Sequence, residues 1–266
     1  MIRRGLGGAL VAFAAAACTE PVTDPNAVVA LRMDGSGYKS IVGGDSLRDS
    51  LGNAVRVKAT PLNYKNDPVD GATIVFASPD TILGVNDAGG VFAKGIRTDG
   101  VGSLIYASVG SLQTTPDTLF TVVRADSVKA ERDVQTMNVT STGGVSLPDS
   151  LPFAVFGDTA KVPAASKPWV PVRSWLVSYQ LLYNKVLLSP TDTTKAYTFW
   201  PTAGTNARRI ASFVDTTDQS GRAARGVFVR SIPKAQDTIF LIATVRRREK
   251  GSQPKSDTTL IVLQQR

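Results

Sequence analysis

Ser174-Trp175-Leu176-Val177-Ser178-Tyr179-Gln180-Leu181-Leu182 is the stretch on which the fold class turns. Successive side chains of a strand point to opposite faces, so Trp175, Val177, Tyr179 and Leu181 share one side and Ser174, Ser178 and Gln180 lie on the other. The pattern predicts a half-buried strand led by an aromatic residue. A shorter example is Ala54-Val55-Arg56-Val57-Lys58-Ala59, with Val55, Val57 and Ala59 inward and Arg56 and Lys58 in water.

Working outward, the same alternation recurs at short intervals. Strands are expected at residues 27–33, 54–59, 73–78, 91–93, 103–109 and 117–123, and again at 135–139, 151–156, 174–182, 197–199, 210–214, 223–230, 238–245 and 258–263. Between them stand turn formers such as Asn66-Asp67-Pro68-Val69-Asp70-Gly71, Asp87-Ala88-Gly89-Gly90 and Thr98-Asp99-Gly100, where Pro presets φ and Asp and Gly accept tight backbone. Fifteen prolines and 23 glycines oppose long helices, and no window of helical length carries a clean 3.6-residue apolar period. The fold class expected is all-β.

The chain has 266 residues, too many for one ordinary sandwich and enough for two that each bury a core. An internal repeat supports two. Pro116-Asp117-Thr118-Leu119-Phe120-Thr121-Val122-Val123 closes the first half as Ser256-Asp257-Thr258-Thr259-Leu260-Ile261-Val262-Leu263 closes the second. Thr98-Asp99-Gly100-Val101-Gly102 is echoed by Thr217-Asp218-Gln219-Ser220-Gly221. Domains are expected at 27–124 and 128–266, joined near 124–131. Charge divides between them: residues 20–124 carry nine Lys/Arg against eleven Asp/Glu, and 125–266 carry nineteen against eleven, a net of −2 and +8.

The N-terminus reads as an address. Arg3-Arg4 precede an apolar run of small residues from Gly5 to Ala17, too short to anchor a chain across a bilayer, and the run ends at Cys18, the only cysteine. Ala15-Ala16-Ala17-Cys18 resembles the bacterial lipoprotein signal, which is cut before the Cys and has a diacylglycerol attached to the thiol, although most such signals carry Leu where this chain has Ala15. The resemblance implies a signal peptide at 1–17, lipidation of Cys18, and a short tether at 18–26 that contains Pro21 and Pro25. The alternative is ordinary cleavage at an Ala-x-Ala site with a free thiol. Thr19, rather than Asp, follows the Cys, which favours outer-membrane sorting if the host has two membranes.

Val42-Gly43-Gly44-Asp45-Ser46-Leu47, Val69-Asp70-Gly71-Ala72 leading to Ile74-Val75-Phe76-Ala77-Ser78, Gly90-Val91-Phe92-Ala93, and Thr98-Asp99-Gly100 occur in the order and spacing of bacterial immunoglobulin-like domains, which residues 27–124 resemble. The second half resembles them more loosely. Trp175-Leu176-Val177-Ser178-Tyr179 sits where the family places its third strand, and 215–223 looks like the turn before its sixth, while 161–172 looks inserted. The resemblance implies tandem immunoglobulin-like Greek-key sandwiches that space, present or bind at a cell surface, with no catalytic residues.

Composition excludes much chemistry. There is no histidine, and the one cysteine belongs to the anchor. Imidazole bases, Ser-His-Asp and Cys-His systems, Cys/His zinc sites and disulfides are therefore not available. No enzyme is expected and no cofactor beyond the covalent lipid at Cys18.

Three candidate binding features remain. Arg246, Arg247, Arg248 and Lys250 cluster at an expected hairpin tip, either gripping a polyanion or protecting a sheet edge as a solvated loop. Asp215 and Asp218 offer oxygen ligands to calcium, with turn formation the alternative. Trp169 and Trp200, each next to a proline, are candidates for stacking on a glycan, whereas Trp175 and Tyr179 belong to the core. The leading expectation is a non-enzymatic surface spacer or adhesion and interaction module. The runner-up is a carbohydrate- or envelope-polymer-binding accessory module. Expected partners are the membrane, through the lipid, and an envelope polymer, a glycan or a surface protein, not nucleic acid.

Overall fold

The computed structural model describes residues 24, 26–35, 37–97, 99–139, 151–158, 169–188, 197–200, 213–229 and 238–265. The signal segment and Cys18, with most of the tether, lie outside the described residues, as do parts of 161–172 and of the strand expected at 210–214. Every regular element among the described residues is a strand.

The first half contributes β1 (Ala30–Met33), β2 (Ser40–Val42), β3 (Ala59–Leu62), β4 (Val75–Ala77), β5 (Leu83–Val85), β6 (Val91–Ala93), β7 (Ser103–Val109), β8 (Leu112–Gln113) and β9 (Asp117–Val122). The second contributes β10 (Ala125–Ala130), β11 (Val134–Val139), β12 (Leu151–Asp158), β13 (Trp169–Pro171), β14 (Leu176–Tyr183), β15 (Val186–Leu188), β16 (Tyr197–Trp200), β17 (Val214–Thr216), β18 (Arg222–Val229), β19 (Ile239–Val245) and β20 (Lys255–Gln265).

Strand order gives both halves one plan. In the first, one sheet runs β2-β9-β7-β4; opposite it lie the pairs β1-β3 and β5-β6, linked by bridges such as Arg56 to Gly90. In the second, the sheets run β11-β20-β19-β14-β15 and β10-β12-β18-β16. Each half starts with a strand that pairs antiparallel in one sheet, β1 on β3 and β10 on β12. The chain then crosses over, and a second strand pairs parallel with the half's last strand, β2 with β9 and β11 with β20. Crossing between sheets in this order is the immunoglobulin-like Greek key. The chain is all-β, two tandem sandwiches.

Alternation makes the cores. Along β19, residues 239, 241, 243 and 245 are buried while the residues between them are half-exposed. Trp175, Val177, Tyr179 and Leu181 are each 1% exposed or less, and Phe153 meets Tyr179 edge to face at 5.8 Å. Ile41, Leu47, Ile105 and Leu119 centre the first core.

Three expectations need correction. Residues 124–131, read as a join, hold β10, whose Ala125 and Val128 are buried. A register shift between Ala125 and Ser127 places two inward residues three apart, which breaks the period of two that marks a strand. Residues 54–58 carry isolated bridges and the regular strand begins at Ala59, although Val57 points inward and Arg56 and Lys58 outward as read. The turn at 215–223 leads into β18, which pairs with β12. The sixth main strand of the plan is β19, so the echo with Thr98-Asp99-Gly100, which leads into β7, joins non-equivalent strands.

Stability against pH follows from the absence of histidine: nothing in the side-chain set titrates near neutrality. Arg97 holds the Asp99 carboxyl down to about 2, and Asp80 is lowered by hydrogen bonds from the Ser103 hydroxyl and the Ile82 amide and by Arg97. Carboxyls with depressed folded-state values add stability that is present above the ordinary value of 3.8 and lost as pH falls through the folded value. The melting temperature should be flat from about pH 8 to about pH 5.5 and fall below about pH 4. A melting series across that range checks both limbs; a transition near pH 6.5 would contradict it.

Candidate functional site: the clasp between the sandwiches

The β19–β20 hairpin ends in Arg246-Arg247-Arg248-Glu249-Lys250-Gly251. Arg248 adopts φ 54° and Gly251 φ 78°, so the tip turns sharply and sends the Arg248 side chain into the first sandwich. Arg248 is 4% exposed. Its guanidinium lies 4.1 Å from the Trp175 ring centroid and 5.0 Å from that of Tyr38, one ring from each half. Nη1 donates to the Ser40 carbonyl at 2.9 Å and to Ser40 Oγ at 3.1 Å. Ser40 Oγ in turn donates to the Ser174 carbonyl at 2.6 Å, and the Trp175 indole N–H donates to the Arg246 carbonyl at 3.0 Å. Burial lowers the Arg248 guanidinium to about 10, partly offset by Tyr38, so it remains charged at neutral pH. Two ring faces and the Ser40 carbonyl and hydroxyl oxygens supply the negative potential at the buried cation.

Further contacts frame this centre. Arg124 bridges Asp45 at 3.0 Å and Glu249 at 2.8 Å, tying the hairpin tip to the first sandwich. Arg173 stacks on Phe120 at 3.6 Å and donates to the Gly100 carbonyl. Beneath them, Val122 and Val123 belong to the second half's core cluster, with Val42, Ile96 and Phe120 packed against it. Gly52, at φ 89°, lies so near the tip that a Cβ there would come within 2.7 Å of the Glu249 backbone. Gly52→Ala should therefore cost about 2 kcal/mol, from left-handed backbone strain and displacement of the tip. A thermal melt, with proteolysis at the tip as a second readout, checks it; an unchanged melt would contradict it.

The four basic residues read as one patch are thus divided. Arg248 is inside the clasp, and Arg247 is paired with Asp126 at 2.6 Å. Arg246 and Lys250 are exposed. The tip does not present three arginines to a polyanion, because an aromatic face from each half and the Ser40 carbonyl take up the middle of the run. Sequence reading saw a charged loop; the signal it lacked was Tyr38 and Trp175, far apart in the chain, meeting around one side chain.

Asp215 and Asp218 serve local partners. Asp218 Oδ1 accepts from the amides of Ser220 and Arg222 and from the Ser220 hydroxyl. Its carboxyl is lowered overall, burial working to raise it and these hydrogen bonds outweighing that. Asp215 accepts from the Thr216 and Ala224 amides and lies 3.5 Å from Arg225. Among the described residues no group of three His, Cys, Asp or Glu side chains is placed to hold a metal. Trp169, in β13, is 50% exposed. Trp200 lies in β16 opposite Gly226, and its side chain is outside the described residues.

No protein-family model matches the chain, and no curated protein matches it in sequence. Among solved structures, the Yersinia pseudotuberculosis adhesin InvE aligns over 87% of this chain and 58% of its own at 15% identity, with a TM-score of 0.33. The N-terminal four Ig domains of Dscam1 isoform 7.44 align over 89% of this chain and 51% of theirs at 9% identity, TM-score 0.41. A PapD-like domain of human CEP192 aligns over 53% of this chain and 87% of its own at 10% identity, TM-score 0.33. The chain spans 58% of the InvE structure and about half of the Dscam1 structure. Its immunoglobulin-like plan stands on strand order and register, independently of these superpositions.

Proposed function

We propose that this chain is a non-enzymatic lipoprotein of the bacterial cell envelope, held by acyl chains on Cys18, whose two clasped sandwiches act as a stiff spacer that presents an interaction surface. The observation that carries the reading is the clasp. A buried arginine held between rings from both halves, with the Asp45-Arg124-Glu249 bridge beside it, resists bending at the one place where a two-domain chain would otherwise hinge. The Ala15-Ala16-Ala17-Cys18 box supports the address, and Thr19 supports outer-membrane sorting if the host has two membranes. The lack of histidine supports a role without catalysis.

The test is intact mass and membrane fractionation of the chain expressed with its own N-terminal segment, beside Cys18→Ala. An acylated Cys18 in the membrane fraction, with the variant released or uncleaved, is the expected result. An unmodified N-terminus in the soluble fraction would overturn the anchor.

The half-exposed Trp169 favours a second reading, a carbohydrate- or envelope-polymer-binding module in the basic half. Here Trp169→Ala should abolish retention on cell-wall polysaccharide. Equal retention of variant and parent would count against this reading.

A further inference from the structure

The two halves treat one carboxylate differently. Asp-Thr lies near the start of each half's last strand, and each parallel pair begins with the same bond, the Phe120 amide to the Lys39 carbonyl in the first half and the Leu260 amide to the Asp133 carbonyl in the second. Asp257 Oδ1 accepts from the Thr258 amide, and its Oδ2 accepts at 2.8 Å from the Ala130 amide, a backbone N–H at the end of β10. Asp117 Oδ1 accepts from the Thr118 amide and from Lys39, but its Oδ2 is buried with no hydrogen-bond partner among the described residues. The crossovers differ to match: three residues, 131–133, separate β10 from β11, whereas six, 34–39, separate β1 from β2.

An open slot of about 580 Å³, a size typical of binding pockets, lies beside Asp117, between β1 and residues 115–117. β1 pairs only with β3, and β2 covers β9 only at residues 120–122. Two strand edges therefore border the slot, and neither has a neighbouring strand there among the described residues. Leu31, Met33 and Leu62 give the slot an apolar lining. Its charged side chains are already matched, Lys39 with Asp117 and Arg32 with Asp34 at 3.4 Å.

We infer that this slot takes an extended peptide segment of a partner protein, which enters as a strand between β1 and β9 and donates a backbone N–H to Asp117 Oδ2. The second half shows what fits: there the chain's own backbone amide at Ala130 supplies the donor that Asp117 lacks. A strand edge offers N–H and C=O groups to an added strand, and pockets beside it read alternate side chains. With the charges in the walls paired and Leu31 and Met33 between them, the matching segment is uncharged, with small apolar side chains on the face it buries. The four residues of β1 set a length of about 13 Å, so the contact is short and reversible. This names an interaction surface for the proposed spacer, away from the clasp, and it holds whether or not Cys18 carries lipid.

A display library of random heptapeptides, panned on the immobilised full chain, tests it. Enriched peptides should be uncharged and should bind Thr115→Trp about tenfold or more weakly than the parent. Residue 115 is exposed and lines the slot, so the indole fills the slot and leaves the melting temperature unchanged, which separates lost binding from lost folding. Methylating one backbone nitrogen of such a peptide should weaken its binding to the parent about tenfold or more, and should weaken binding to Asp117→Asn much less, because only the parent then loses a hydrogen bond to a carboxylate. Circular dichroism checks that Asp117→Asn is folded. No peptide enriched on the parent over Thr115→Trp, binding indifferent to Thr115→Trp, or equal losses on methylation for the parent and a folded Asp117→Asn would overturn the inference. A slot that takes a small molecule in place of a strand would give the first of these.

Discussion

Trp175→Ala lowers stability by about 4 kcal/mol, the range for deleting a fully buried tryptophan. Trp175 is 1% exposed, heads the strand at the centre of the second core, and contributes one of the two rings around Arg248. Its loss leaves a cavity that the flanking strands close only in part, orphans the Arg246 carbonyl that its N–H satisfies, and strips one aromatic face from a buried cation. With total stabilities of about 5–15 kcal/mol for such domains, the variant sits at or near the edge of folding. Denaturant unfolding followed by circular dichroism checks this. Trp175→Phe keeps most of the packing and loses the hydrogen bond, so it should cost about 1–2 kcal/mol. Equal losses for the two variants would mean that packing is not the main contribution.

Arg248→Ala should cost about 3 kcal/mol, a different loss in kind because it uncouples two sandwiches. The variant removes the stack between Tyr38 and Trp175 and leaves the Ser40 carbonyl buried without its donor. Calorimetry should show one transition in the parent and two in the variant, each sandwich then melting separately. Arg248→Lys should not rescue it: an ammonium has no planar face to lie between two rings and is more strongly hydrated. Arg248→Met retains volume without a buried charge and should recover part of the stability. A variant that melts in one transition at the parent temperature would show that the clasp does not couple the halves.

Much of the fold was legible because the chain alternates where a face is buried. The period of two in residues 174–182 and 238–245 identifies β14 and β19, and Asp117-Thr118 and Asp257-Thr258 mark the last strand of each half. The missed elements are those where alternation is short or broken. β2 has three residues, Ser40-Ile41-Val42, too few to display an alternation. β10 has its phase shifted by a bulge. The role of Arg248 was hidden for another reason. A charged triplet at a loop tip reads as solvated, and only docking against Tyr38 and Ser40, more than 200 residues earlier, turns one member into a core residue.

The sequence by itself determined the all-β class, the presence of two halves, the inward face of the central strands, the exclusion of histidine and disulfide chemistry, and the uneven charge. All of these follow from composition and from contacts between near neighbours, which a local pattern records. The tertiary structure alone decided that the basic tip is a clasp, that β10 begins the second sandwich with no free linker, and that Asp257 meets the Ala130 amide where Asp117 lines an open slot. Those depend on register and on which distant strands pair, and pairing is settled by the packing of whole sheets, not by any single stretch of chain.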